Sequence, residues 1–129
     1  MFVKRKSLVA LCVWLALVQG CRNQTEQAPD LTLAHEVFPQ PPRTGQVTVT
    51  LTLTDTSGTP VTGARLKLEG NMSHAGMAPA FADANEIEAG RYRSTMELSM
   101  AGDWYVSVRV TLPDGREFDR QFEINGVRN

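Results

Sequence analysis

"QVTVTLTLTD", residues 46–55, alternates without a break: Val47, Val49, Leu51 and Leu53 are aliphatic, and Thr48, Thr50, Thr52 and Thr54 separate them. Successive side chains of a β-strand point to opposite faces, so a period of two describes a strand with one face in a core and the other in water. Threonine suits the wet side because its branched Cβ favours extended backbone. The pattern recurs downstream. In "DWYVSVRVTL", residues 103–112, Trp104, Val106, Val108, Val110 and Leu112 share one face, with Tyr105, Ser107 and Arg109 opposite. "REFDRQFEI", residues 116–124, follows with Phe118, Phe122 and Ile124 in phase. The Pro113-Asp114-Gly115 link between these two runs predicts a hairpin, since Pro fixes φ and Gly accepts φ > 0.

Less regular strands are expected over 31–37, 64–68, 80–87 and 92–98, while "PQPPRTG", residues 39–45, reads as a loop within the domain. About seven short strands at roughly ten-residue spacing, with no helical period of useful length, predict an all-β fold built as a β-sandwich. Its core would consist of facing layers of Val, Leu and Phe around Trp104.

The chain opens with a different kind of segment. Lys4, Arg5 and Lys6 precede an apolar run from Leu8 to Val18, and Gly20 stands before Cys21. This is the layout of a secretory signal, and the run is too short for a bilayer span, which takes about 20 residues. "LVQGC" resembles the lipobox of bacterial lipoproteins, which implies cleavage after Gly20 and a lipid on Cys21. The expected organisation is therefore a signal peptide over 1–20, a lipidated tether over 21–30 and one folded domain over 31–129. Arg22, rather than aspartate, follows the cysteine; in a cell with two membranes that resemblance implies an outer-membrane anchor facing the periplasm.

Cleavage would remove three of the 13 Lys and Arg residues and none of the 14 Asp and Glu, leaving a mildly acidic domain. No basic stripe interleaved with aromatics is present, so nucleic-acid binding is not expected. Cys12 would leave with the signal and Cys21 would be acylated. The domain would then lack thiols, which excludes a disulfide framework, a CxxC redox pair and a thiolate metal site.

One stretch carries chemistry. "GNMSHAGMAP", residues 70–79, places Met72, His74 and Met77 close together between two glycines and a proline. Thioether and imidazole suit copper(I), a soft cation, and unlike thiolates they are not consumed as disulfides in an oxidising envelope. Met72 and His74, two apart, would face the same way if extended, and Gly76 would let the chain bring Met77 back as a third ligand. Met100 and Trp104 are further candidates, Trp104 through its ring face. The same residues also allow a metal-free reading, in which the methionines fill gaps in a core and His74 is solvated. His35, beside Glu36 in the first strand, reads as structural.

Catalysis is not expected. Ser73 and His74 are neighbours on an extended chain and point apart, without a third group to orient them. Asp83, Glu86 and Glu88 are ordinary for a charged β-surface, and no phosphate-binding glycine loop is present.

Two motifs carry a family resemblance. "DTSGTPVTGARLKLEG" is similar to the D-x-x-G-x-P-V-x-G-A-x-V opening of bacterial immunoglobulin-like modules. The Met/His loop followed by "GRYRSTMELSMAGDWYVSVRV" resembles the YtkA-like domain, in which such a loop precedes a G-x-Y strand and an M-x-G-x-W corner. The resemblance runs from about Gln46 to Ile124, most specifically over Gly90 to Trp104. It implies an immunoglobulin-like sandwich on an envelope protein, with an association with copper handling or metal efflux. Two functions are thus expected in competition. One is a lipid-anchored accessory holding copper(I) beside an efflux or oxidase-assembly system; the other is a metal-free module that docks on an envelope partner.

Overall fold

The computed structural model describes residues 30–74 and 76–129. The expected signal segment, Cys21 and the tether as far as Pro29 lie outside the described residues. Within them the chain forms β1 (Leu31–Phe38), β2 (Gly45–Asp55), β3 (Arg65–Met72), β4 (Ala80–Glu88), β5 (Arg91–Leu98), β6 (Gly102–Thr111) and β7 (Glu117–Val127). The strand order is β1-β2-β5-β4-β3-β6-β7, with every neighbouring pair antiparallel. This is an all-β, immunoglobulin-like β-sandwich, as the alternation predicts.

The two layers, β1-β2-β5 and β3-β6-β7, share β4. Residues Ala80 to Ala84 pair with β3, whereas Asn85, Glu86 and Glu88 pair with β5, with a register shift between Glu86 and Glu88. A strand that changes layers runs close to both, so it has little room on its inward side. Ala80, Ala82 and Ala84 occupy that side, half-buried against the core. Phe81 accordingly faces outward at 72% exposure. Phe38 does the same at 73%, because Val37 takes the inward position at the end of β1. Phe118 and Phe122, in phase along β7, are buried, whereas Phe38 and Phe81 are not.

Elsewhere the parity holds. Val47, Val49, Leu51 and Leu53 of β2 and Val106, Val108 and Val110 of β6 are buried in one core, and Trp104 is only 2% exposed. The Pro113-Asp114-Gly115 link is a tight turn: Leu112 N–H donates to Arg116 O at 2.8 Å, and Gly115 N–H to Leu112 O at 2.9 Å. Asp114 accepts from Arg116 N–H and Nε, which holds its carboxyl below the usual carboxylate range.

Strand directions sort the connections into two groups. Asp30, residues 56–64, 89–90 and 112–116 lie at one end; residues 39–44, 73–74, 76–79, 99–101 and the C-terminal Arg128 and Asn129 lie at the other. The first end is latched by the residues of the D-x-x-G-x-P-V-x-G motif. Asp55 Oδ1 accepts the N–H groups of Ser57 and Thr59, both at 2.9 Å, and closes the turn after β2. Pro60 then lies against Gly90. Tyr92, wholly buried, donates its hydroxyl to Val61 O at 2.8 Å and accepts Ala64 N–H at 3.1 Å. Glu86 ties the same connection to the β4–β5 turn by accepting Gly63 N–H and Gly90 N–H, each at 3.2 Å.

Gly90 has no substitute there. Its φ is +71°, and an added Cβ would lie 2.9 Å from Leu53 O and 2.7 Å from Pro60 Cβ. Gly58 has a similar φ, +79°, with open space around it. Gly90→Ala is therefore expected to destabilise the domain by more than the ~1–3 kcal/mol of backbone strain alone, and Gly58→Ala by no more than that strain, in paired urea denaturations.

Glu86 makes the latch sensitive to acid. The Gly63 N–H first, then the Gly90 N–H, hold its carboxyl below the ordinary glutamate value. Its contribution is thus present above about pH 4.3 and lost as pH falls through the lower folded value. Melting temperature followed from neutral pH downward should drop in that window, and Glu86→Gln should flatten part of the drop.

Candidate functional site

The Met/His loop joins β3 to β4 at the end opposite Asp30. Alternation along β3 puts Leu66, Leu68, Gly70 and Met72 inward. Met72 is the cross-strand partner of Trp104, and it lies so close over Gly102 that a Cβ there would meet Met72 Cε at 2.8 Å. Of the three loop residues read as ligands, Met72 therefore has its side chain in the core, 6% exposed. His74 is exposed, and Met77 is half-buried against the edge of the core.

Trp104 joins this loop to the next. Its indole Nε1–H donates to Met100 O at 3.0 Å, pinning the 99–101 corner. The indole and Met96 meet over Gly70: a Cβ on that residue would lie 3.5 Å from Trp104 Cε3 and 2.8 Å from Met96 Cε. Bare backbone at Gly70 and Gly102 thus admits two methionine ends beside one indole, a favourable sulfur–aromatic environment. Met96 is buried, but Met100, in the corner after β5, is 47% exposed. The ring of Trp104 is enclosed, so its face is not open to a cation from solvent.

This end consequently carries two kinds of sulfur. Met72 and Met96 are packing elements; Met77 and Met100, with the His74 imidazole, are the donors that a solute can reach. Among the described residues no group of three or more His, Cys, Asp and Glu converges as a metal site, so metal binding at this end would depend on thioethers. The adjoining corner is fixed by Asp103, whose carboxylate accepts Gly126 N–H at 2.8 Å.

A second concavity lies on the outer face of β3, β4, β6 and β7. It is a groove of about 420 Å³ lined by Lys67, Glu69, Phe81, Ser107, Arg109 and Asp119. Arg109 and Asp119 form a two-point pair at 3.1 and 3.3 Å, and the Arg109 guanidinium holds the Asp119 carboxyl below its usual range. Both side chains are more than half exposed, so the pair shapes the surface more than it stabilises the fold. Sequence alone gave no sign of this groove, because its residues come from four strands. Nor did it single out Glu86, whose letters match any surface glutamate.

MtrC from Shewanella baltica OS185 superposes with a TM-score of 0.51 at 16% identity, over 75% of this chain and 22% of MtrC. The chain thus spans 22% of the length of that protein. Murine CRIg superposes with a TM-score of 0.43 at 10% identity, covering 76% of this chain and 98% of CRIg. No curated protein sequence matches the chain. The YtkA-like family model matches residues 26–109, beginning before β1 and ending within β6, so the match starts earlier and stops sooner than the motifs suggest. With the Asp55–Ala64 latch, the Met/His loop and the Met100–Trp104 corner all inside that span, the chain belongs to the YtkA-like family.

Proposed function

We propose that the protein is a binding module of the bacterial envelope, held to a membrane by lipid on Cys21 and binding with the end of the sandwich farthest from that anchor. One observation carries this reading. The chain enters the domain at Asp30, at the end latched by Tyr92 and Glu86, whereas His74, Met77 and Met100 stand at the opposite end. A tether on the first end points the second into the periplasm.

The ligand class follows from the donors. Two accessible thioethers and an imidazole favour copper(I) over harder cations, which fits an accessory to an efflux or oxidase-assembly system. His74 and Met77 supply the loop donors and Met100 the donor from the neighbouring corner. Met72 anchors the loop on Trp104 and reaches a metal only by turning its thioether off Gly102. Binding, rather than catalysis, is the mode of action.

A second reading, docking on an envelope protein without metal, is favoured by Phe81. Its ring is 72% exposed at the edge of the groove, and aromatic anchors are common in interfaces.

Silver(I), a redox-inert soft cation, separates the two. Calorimetry should show saturable binding that falls about tenfold or more in His74→Ala and in Met77→Leu, with melting temperature nearly unchanged because His74 is exposed and leucine keeps most of the volume of the half-buried Met77. Met72→Leu should change stability more than affinity. Wild-type protein that takes up neither silver(I) nor copper(I) leaves the docking reading, for which Phe81→Ser should abolish partner capture.

A further inference from the structure

Four of the chain's five methionines lie among the described residues, and solvent reaches them unequally. Met100 is 47% exposed and Met77 is half-buried, whereas Met72 and Met96 are 6% and 1% exposed. Two-electron oxidants convert a thioether to a sulfoxide by direct reaction at sulfur, so access to the sulfur decides which methionine is modified.

The consequence for the fold differs between the two pairs. The end of Met72 lies over Gly102, where an added Cβ would come within 2.8 Å of its Cε, and the end of Met96 lies equally close over Gly70. An oxygen on either sulfur would enter the packing around Trp104 as a buried acceptor, and the indole N–H there is already given to Met100 O at 3.0 Å. Met100 is the reverse case. That hydrogen bond holds its backbone while its side chain stands in solvent, so a polar oxygen on its sulfur leaves the corner in place. Met77 touches the core only at its edge.

We propose that Met100 and Met77 are sites of reversible oxidation to methionine sulfoxide, a modification that disables the donors of the loop-bearing end while the sandwich stays folded. With hypochlorous acid as the oxidant, the sulfur loses two electrons and gains one oxygen, chlorine(I) is reduced to chloride, and one proton is released. The soft thioether gives way to a polar sulfoxide with a hard oxygen donor, unsuited to copper(I). A methionine sulfoxide reductase reverses the change. The loss of metal rests on the soft-metal reading above; the order in which the methionines react does not.

The full chain, folded at neutral pH, is titrated with hypochlorous acid in small increments, and each methionine is followed by peptide mass mapping. Met100 should be converted first and Met77 next, with Met72 and Met96 about tenfold slower or more. Urea above the unfolding transition should erase that order. Protein oxidised at Met77 and Met100 should keep a cooperative melt close to that of the untreated protein. Its silver(I) affinity should fall about tenfold or more, and reductase treatment should restore it. Oxidation of Met72 or Met96 at the rate of Met100, an order that persists in urea, or unfolding on oxidation of Met77 and Met100 overturns the proposal. Silver(I) binding unchanged by oxidation overturns the switch and leaves the metal reading standing, whereas untreated protein that takes up no silver(I) overturns both.

Discussion

The Trp104 indole is the part on which the loop-bearing end of this sandwich depends. Its faces and edges meet Met72, Met96 and the backbone of Gly70, and its N–H closes on the Met100 carbonyl. Bare backbone at Gly70 leaves room beside the ring, and bare backbone at Gly102 leaves room for the end of Met72. The Met/His loop and the Met100 corner are thereby brought to the same end of the sandwich, although Met77 and Met100 are 23 residues apart in sequence. An aromatic side chain brings more buried area per residue than any other, so the positions it organises are also the costliest to disturb.

The opposite end solves a different problem. A long connection between β2 and β3 would leave backbone N–H groups without partners as it crosses the edge of the sandwich, and buried polar groups must be satisfied. Asp55, Tyr92 and Glu86 supply those partners, and Gly90 leaves room for Pro60. The result is one end consolidated by side chain to backbone hydrogen bonds and another that presents donors to solvent. That asymmetry is the basis of the proposed attachment by the first strand and binding by the far loops.

The two methionine populations separate packing from chemistry within one residue type. Met72 and Met96 have the inward parity of their strands, where a flexible side chain fills the space that a glycine leaves. Met77 and Met100 follow the ends of strands, beyond the alternation, and remain accessible. The seam between β1 and β7 has a comparable division: backbone pairing closes it near Arg128, and the His35–Phe122 stack holds the stretch where the ladder is missing.

Much of the fold was legible in the chain. The period of two in residues 46–55 and 103–112 fixes which face is buried, because a register slip of one residue would move every aliphatic side chain into water. The Pro113-Asp114-Gly115 turn was equally plain, since the conformations that Pro and Gly allow are local properties. The positions of Met72, His74 and Met77 in one loop could be read; their unequal exposure could not, because strand β3 continues through Met72 and stops there. Only tertiary structure decided that Phe81 faces outward, that β4 belongs to both layers, and that Glu86 serves as a double acceptor. It also decided that His35 of β1 stacks on Phe122 of β7. Alternation is written in neighbouring residues, whereas these features depend on which strands lie side by side, and that is set when the two aliphatic layers close on each other.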